Sequence, residues 1–167
     1  RLMPGFLARY PELRIDIDLT DRVIDLANDG IDIAVRIARE PATTNVIARK
    51  IAPVSFIACA APDYLNRRGR PSEPDDLRMH DTLNYSYLSS GDSWTFKHAD
   101  HRQKTIRIAP RIHATNGDIL RELSVAGEGI IVQPDFIVEE ELASGVLEPI
   151  LQDWMIEDYH LYAIYLS

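Results

Sequence analysis

Two short segments of this 167-residue sequence carry groups suited to holding a small anion. Thr115-Asn116-Gly117-Asp118 precedes an apolar-periodic stretch, so Thr115 or Asn116 can cap a helix whose first backbone N–H groups form a positive end. Such an end binds a carboxylate or a phosphate. An ordinary N-cap satisfied by its own side chain explains the same residues, and Asp118 already answers part of the dipole. Tyr85-Ser86-Tyr87 and Ser89-Ser90-Gly91 add hydroxyls and aromatic faces near the end of a predicted strand, as ligand pockets often do. Their plainer reading is a surface hairpin.

Catalytic chemistry finds no support. There is no Gly-x-Ser-x-Gly elbow, and no serine has a histidine and a carboxylate nearby in sequence. Cys59, the single cysteine, sits in an apolar run and reads as a buried, inert thiol. None of the 5 histidines has His-Glu-x-x-His spacing. His98 and His101 flank Asp100 in a polar turn beside Arg102 and Lys104, where solvated loop residues are a better account than a metal site. Glu139-Glu140-Glu141 reads as a solvated helix face. Gly127-Glu128-Gly129 reads as a helix C-cap leading into a strand, since it lacks the third glycine of a dinucleotide loop. Asn84-Tyr85-Ser86 matches a glycosylation acceptor, discounted because no secretory signal is visible. No enzyme, metal or cofactor is expected.

Composition narrows the partners. Lys plus Arg total 18 and Asp plus Glu 26, a net charge of −8. A surface that acidic, with no basic stripe, repels nucleic-acid backbones, so this chain by itself is not expected to bind DNA. No run of about 18 apolar residues exists to span a membrane. One cysteine cannot form an internal disulfide, which fits a reducing compartment and a cytoplasmic setting.

The elements that must position these groups follow from periodicity. Phe6 to Tyr10 is helical and stops at Pro11. Leu13 to Leu19 alternates apolar and charged residues, predicting a strand with one wet face. Val23, Ile24, Leu26 and Ala27 predict a short helix closed by Gly30. With Ile31–Ile37 as a strand, this makes a βαβ unit and predicts a parallel pair. Val46 to Ile51 and the apolar Val54 to Ala60 predict further strands. Pro62 opens a helix. Leu83–Leu88, Trp94–His98 and Thr105–His113 predict strands, with His98–His101 as a hairpin tip. Asn116 opens a helix ending at Gly127, Ile130–Val132 is a strand, Asp135–Leu142 a helix and Tyr159–Leu166 a last strand. This order predicts two α/β lobes, with the chain leaving the first, building the second and returning.

An ordered set of short matches resembles the effector-binding domain of LysR-type transcriptional regulators. Phe6-Leu7-Ala8-Arg9-Tyr10-Pro11-Glu12-Leu13 is similar to that domain's opening. Gly30-Ile31-Asp32-Ile33-Ala34-Val35-Arg36-Ile37 resembles its Gly-x-Asp-x-Ala-x-Arg strand, and Ala61-Pro62-Asp63-Tyr64-Leu65 its Pro-x-Tyr-Leu helix start. Pro74-Asp75-Asp76-Leu77 with His80-Asp81, then Trp94-Thr95-Phe96, follow in family order. Asn116-Gly117-Asp118, Ala126-Gly127-Glu128-Gly129-Ile130 and Pro134-Asp135-Phe136 complete the series, which covers nearly the whole chain.

The resemblance implies an α/β fold of two Rossmann-like lobes joined by two crossover strands, as in type 2 periplasmic solute-binding proteins. Lobe I would comprise residues 1–53 and, on return, 134–167; lobe II would comprise 54–133. The crossovers would lie near Val54–Ala60 and Ile130–Pro134. A small anionic effector would sit between the lobes, facing Arg36 and Ile37 from lobe I, Tyr85, Ser86, Tyr87 and Asn116 from lobe II, and Gln133 and Pro134 at the return. Arg36 would either pair the anion or point outward. The family's DNA-binding domain, first strand and C-terminal helix are not found in this sequence, so DNA would be a partner only through the parent protein. Homodimers or homotetramers are implied, with the helix ending at Tyr10 against the partner's second lobe. The alternative is a free-standing solute-binding protein of a transport system.

Overall fold

The computed structural model describes residues 3–22, 24–41, 45–156 and 159–167. Helix α1 (Met3–Arg9) forms as predicted, but none of its residues is buried. The expected strand at Leu13–Leu19 is not formed; Leu13, Ile15, Ile17 and Leu19 are all exposed. Alternation yields a strand only where a neighbouring strand takes the backbone hydrogen bonds, and no described strand lies beside this segment. Helix α2 (Leu26–Asp29) is capped by the Asp25 carboxylate, which accepts from the Ala27 and Asn28 N–H groups. It closes at Gly30, whose φ of 67° is the left-handed conformation glycine adopts without penalty. Val23 lies outside the described residues.

Strands β1 (Ala34–Ala38) and β2 (Val46–Pro53) flank the C-terminal strand His160–Leu166 in an antiparallel sheet. The predicted parallel pair is therefore replaced by an antiparallel one, because β1 pairs with a segment more than a hundred residues away instead of with Leu13–Leu19. Leu26, Ala34, Tyr162 and Ile164 form a small apolar cluster under this sheet.

The second and larger cluster belongs to the rest of the chain. Strand β3 (Phe56–Ala60) leads into α3 (Pro62–Arg68), a 3-10 helix at Pro74–Met79, then β4 (Leu83–Tyr85), β5 (Ser93–His98), β6 (Gln103–Arg107) and β7 (Ile112–Ala114). The run predicted as one strand over Thr105–His113 is two, divided at Pro110, which has no N–H for a ladder. Helix α4 (Gly117–Val125), β8 (Ile131–Pro134), α5 (Asp135–Ser144), β9 (Glu148–Pro149), β10 (Trp154–Met155) and β11 (His160–Leu166) complete the order. Strands β4 and β7 are parallel; β5 and β6 form a hairpin joined by β10; β8 and β9 both pair with β3. Tyr64, Leu65, Leu77, Leu83, Phe96, Ile106, Leu120, Ile130, Ile131 and Leu147 are enclosed in the core these elements share. Each large aliphatic or phenylalanine side chain so buried stabilises by about 1.5–3 kcal/mol.

β8, α5 and β9 stay with the β3 sheet and the larger cluster through main-chain pairing and the Val138 and Leu147 side chains. Ile156 bridges Phe56, the Val54 N–H donates to the Tyr159 carbonyl at 2.9 Å, and β11 then joins β1 and β2. The lobes meet where the chain crosses at 53–56 and again where it returns into β11.

Candidate ligand site between the lobes

The lobe II half is built by strand ends. The pairs Leu83↔Ile112 and Tyr85↔Ala114 align β4 and β7, and Thr82 bridges Ile130 in the parallel sense. The C-terminal ends of β4, β7 and β8 therefore share one edge, where open α/β sheets bind ligands. Tyr85 and Ser86 leave β4 there, Asn116 follows β7, and Gln133 and Pro134 end β8. Ser86 is tied by its backbone N–H to the Ala114 carbonyl at 2.8 Å, leaving its side chain exposed.

At the start of α4, the Asn116 carboxamide oxygen accepts from the Ile119 N–H at 3.1 Å, an ordinary N-cap. Gln133 is 3% exposed, and its side-chain oxygen lies 3.0 Å from where a Cβ on Gly117 would sit. A Cβ there would press on the Gln133 and Ile137 side-chain ends, each at 3.0 Å, so either would have to shift to admit one. Pro134 caps α5 and pairs with Phe56.

The lobe I half comes from β1 and the loop before α2. Arg36 donates to the Arg22 carbonyl and, at 3.5 Å, to that of Asp21. Its guanidinium is thus engaged by the loop it braces. Tyr85, on β4, faces the Asp21 carboxylate. Burial first, then the nearby Asp21 charge, push the Tyr85 phenol well above its usual range. The Tyr85 and Tyr87 rings meet edge to face at 5.9 Å. Ile37 packs half-buried on the lobe II cluster.

The structure so brings Arg36 and Tyr85 to Asp21, with Tyr87 against Tyr85, and Gln133 to Gly117 beside Asn116, while Pro134 pairs with Phe56. Ser86 faces solvent.

Sequence reasoning missed Asp21, Arg39 and Tyr159. Arg39 follows β1 with its guanidinium 5.0 Å over the Tyr159 ring. Tyr159 precedes β11, so no local pattern could connect the two. Among the residues set aside on sequence, His98 and Arg102 both bind Asp100 within the β5–β6 turn. Glu139 and Glu140 are exposed as expected of a solvated face, but Glu141 is half-buried and pairs with Arg121 at 3.2 Å. Among the described residues no group of three metal-ligating side chains exists.

Comparison with known proteins supplies the family. The profile described as LysR substrate binding domain matches residues 1–167. This chain belongs to the LysR substrate-binding family. CrgA, an HTH-type transcriptional regulator of Neisseria meningitidis serogroup B, is 31% identical over 167 residues, covering 99% of this chain and 55% of that protein. An uncharacterised HTH-type regulator of Haemophilus influenzae is 29% identical, covering 98% and 56%. The solved CrgA regulatory domain superposes with a TM-score of 0.82 at 30% identity, over 99% of this chain and 80% of that one. Full-length AphB of Vibrio cholerae gives 0.84 at 26%, over 99% and 56%. The chain spans about half the length of the curated relatives it matches.

It is a LysR-type regulatory domain with the two-lobed fold of type 2 periplasmic-binding proteins, and the transport-protein alternative is not favoured. Its relatives are transcriptional regulators. Among the described residues no helix is long and apolar enough to cross a membrane.

Proposed function

We propose that this LysR-type domain binds a small organic anion between its lobes and passes the resulting lobe arrangement to a DNA-binding domain of the parent protein, in the cytoplasm. The observation that carries the reading is the sheet edge shared by the C-terminal ends of β4, β7 and β8, which presents Tyr85, Asn116 and Gln133, with Arg36 and Asp21 facing Tyr85 from the β1 side. The ligand-facing residues are Arg36, Ile37, Tyr85, Ser86, Tyr87, Asn116, Gln133 and Pro134. A ligand that prefers one lobe arrangement shifts the population by its differential affinity. Thermal melting against small organic acids, phenolics and amino acids tests this. A saturating shift, worth about 2.7 kcal/mol at a hundredfold excess over Kd, is expected. No shift with any compound overturns the reading.

The partner for assembly is a second copy, giving a homodimer or homotetramer. Helix α1 exposes Met3, Phe6 and Leu7, with Tyr10 beside them and basic Arg9. Between α4 and α5 an open groove of about 390 Å³ is lined by Val125 and Val146 with Glu122, Glu140 and the Arg121–Glu141 pair, which leaves it net acidic. Apolar faces and opposite charges match. Phe6→Glu is expected to shift sedimentation toward monomer without lowering the melting temperature; unchanged sedimentation removes α1 from the interface.

A further inference from the structure

Asn84 is a buried polar residue, 2% exposed, with both ends of its carboxamide engaged. The oxygen accepts from the Trp94 Nε1–H at 3.1 Å. The two amide hydrogens go to the Gly91 carbonyl and the Asp92 carboxylate, each at 3.0 Å. One side chain thus ties β4 to β5 and to the turn between them. A satisfied buried network holds one geometry, because breaking a bond leaves a polar group without water to replace its partner.

Asp92 holds the same turn from its other end. Its carbonyl accepts from the Ile108 N–H at 2.9 Å. The carboxylate oxygen that meets Asn84 also accepts from His113 Nε2 at 2.7 Å. His113 stands opposite Asn84 in the parallel β4–β7 ladder, so the two reach Asp92 from adjacent strands. At its start the turn is pinned by the Ser86 N–H on the Ala114 carbonyl. Between these anchors Tyr87, Ser89 and Gly91 are exposed. Of these links, the His113–Asp92 bond is the one that changes charge near neutrality, since histidine titrates between about pH 5 and 8. The His113 hydrogen bond, ahead of that from Asn84, holds the Asp92 carboxyl below its usual range, so Asp92 stays an anion throughout. Arg107 of β6 also acts on Asp92 and remains a cation. On α4, which packs on β7, Asp118 pairs with Arg121 and Glu122 lines the α4–α5 groove; Arg111, just before β7, pairs with Glu128.

Resting on the cleft-binding reading, we propose that Asp92 is a positioning residue for the Ser86–Gly91 turn. With Asn84 it clasps the turn at the ligand edge, and protonation of His113 tightens that clasp. A charge-assisted hydrogen bond is roughly twice as strong as its neutral counterpart. Because Asp92 is charged throughout, the clasp is tight on the acid side of the His113 titration and loosens as that proton leaves. Tyr87 and the Ser89 hydroxyl are thereby held in one arrangement below neutrality and move more freely above it.

The test is amide hydrogen exchange of the full chain at about pH 5.5 and pH 8, on either side of an ordinary histidine titration. Mass spectrometry reads the peptides covering residues 86–91, with no ligand added. His113→Gln keeps a donor but does not titrate, so dividing by its rate at each pH removes the intrinsic pH dependence of exchange. Relative to His113→Gln, the wild-type turn is expected to exchange slower by about threefold or more at the lower pH, and at a similar rate at the higher. Asp92→Asn keeps an acceptor for Asn84 and is expected to abolish the difference. His113 is exposed and Asp92 half-buried, so neither substitution empties the core, and melting temperatures check that both variants fold. Equal wild-type ratios at the two pH values, or a difference that survives in Asp92→Asn, overturn the clasp. No ligand enters this measurement, so its failure leaves the cleft reading to the melting screen. A working clasp with a failed screen removes the cleft reading alone.

Discussion

Cys59 is fully enclosed by the lobe II core, and burial, with a smaller contribution from the Glu141 charge, pushes its thiol up to about 12. The thiolate is the reactive form, so this cysteine is inert while the domain is folded. A disulfide reagent such as dithionitrobenzoate at pH 8 is expected to label it only after denaturation; rapid labelling of native protein contradicts the enclosed site. Tyr85 is likewise kept from ionising, since burial and the nearby Asp21 charge both disfavour its phenolate. Ultraviolet difference absorbance is expected to show Tyr85 titrating above the ordinary tyrosine range while the domain is folded, a delay that Tyr85→Phe removes. A wild-type titration that matches that of the Phe variant contradicts this environment.

Among the elements, the turn between α4 and β8 tolerates change least. A Cβ at Gly129 would meet the Asp81 carbonyl oxygen at 2.6 Å, and the Gly129 carbonyl accepts from the buried Ser124 hydroxyl at 2.9 Å. Backbone cannot yield as a flexible side chain can, so Gly129→Ala is expected to destabilise by more than about 2 kcal/mol. At the other end of α4, Asn116→Ala is expected to cost about 1 kcal/mol through loss of the cap. Denaturant midpoints compare the two directly, and the expected order is Gly129 worse than Asn116. The reverse order removes the close-approach argument.

For the whole molecule, acid stability follows from five depressed carboxylates. Lys104 lowers Asp75, the Glu73 and Ser72 N–H groups lower Asp76, His113 lowers Asp92, and Arg70 lowers Glu148. The Arg102 N–H leads in holding Asp100 down to about 2. Each folded value lies below an unfolded value of about 4, so the folded state binds fewer protons. The stability they contribute is full above about pH 4 and is lost as pH falls toward 2. His80, lowered chiefly by its burial, extends the decline upward, since its contribution is full only above about pH 6.5. Melting temperature is expected to fall progressively from pH 7 to pH 2; a flat profile contradicts this assignment.

Local pattern determined much of this protein. The cap at Asn116, the glycine closing α2, the β5–β6 hairpin and the enclosed strand at β3 each depend on neighbours a few residues away, and all were legible. So was the family, because its short matches recur in order. Long-range pairing was not legible. The alternation at Leu13–Leu19 carries a strand signal, but only a neighbouring strand can complete its hydrogen bonds. The place where the chain returns depends on β8 and β9 choosing β3 as partner, a choice made by the core beneath them. Among the proposed site residues, Tyr85 and Asn116 stand out by residue type alone, whereas the bracing of Arg36 on the Asp21 and Arg22 carbonyls exists only in the folded chain. Arg39 and Tyr159 lie 120 positions apart in sequence and 5.0 Å apart in space. Sequence spacing says nothing about such a pair, because the contact exists only once β11 lies beside β1.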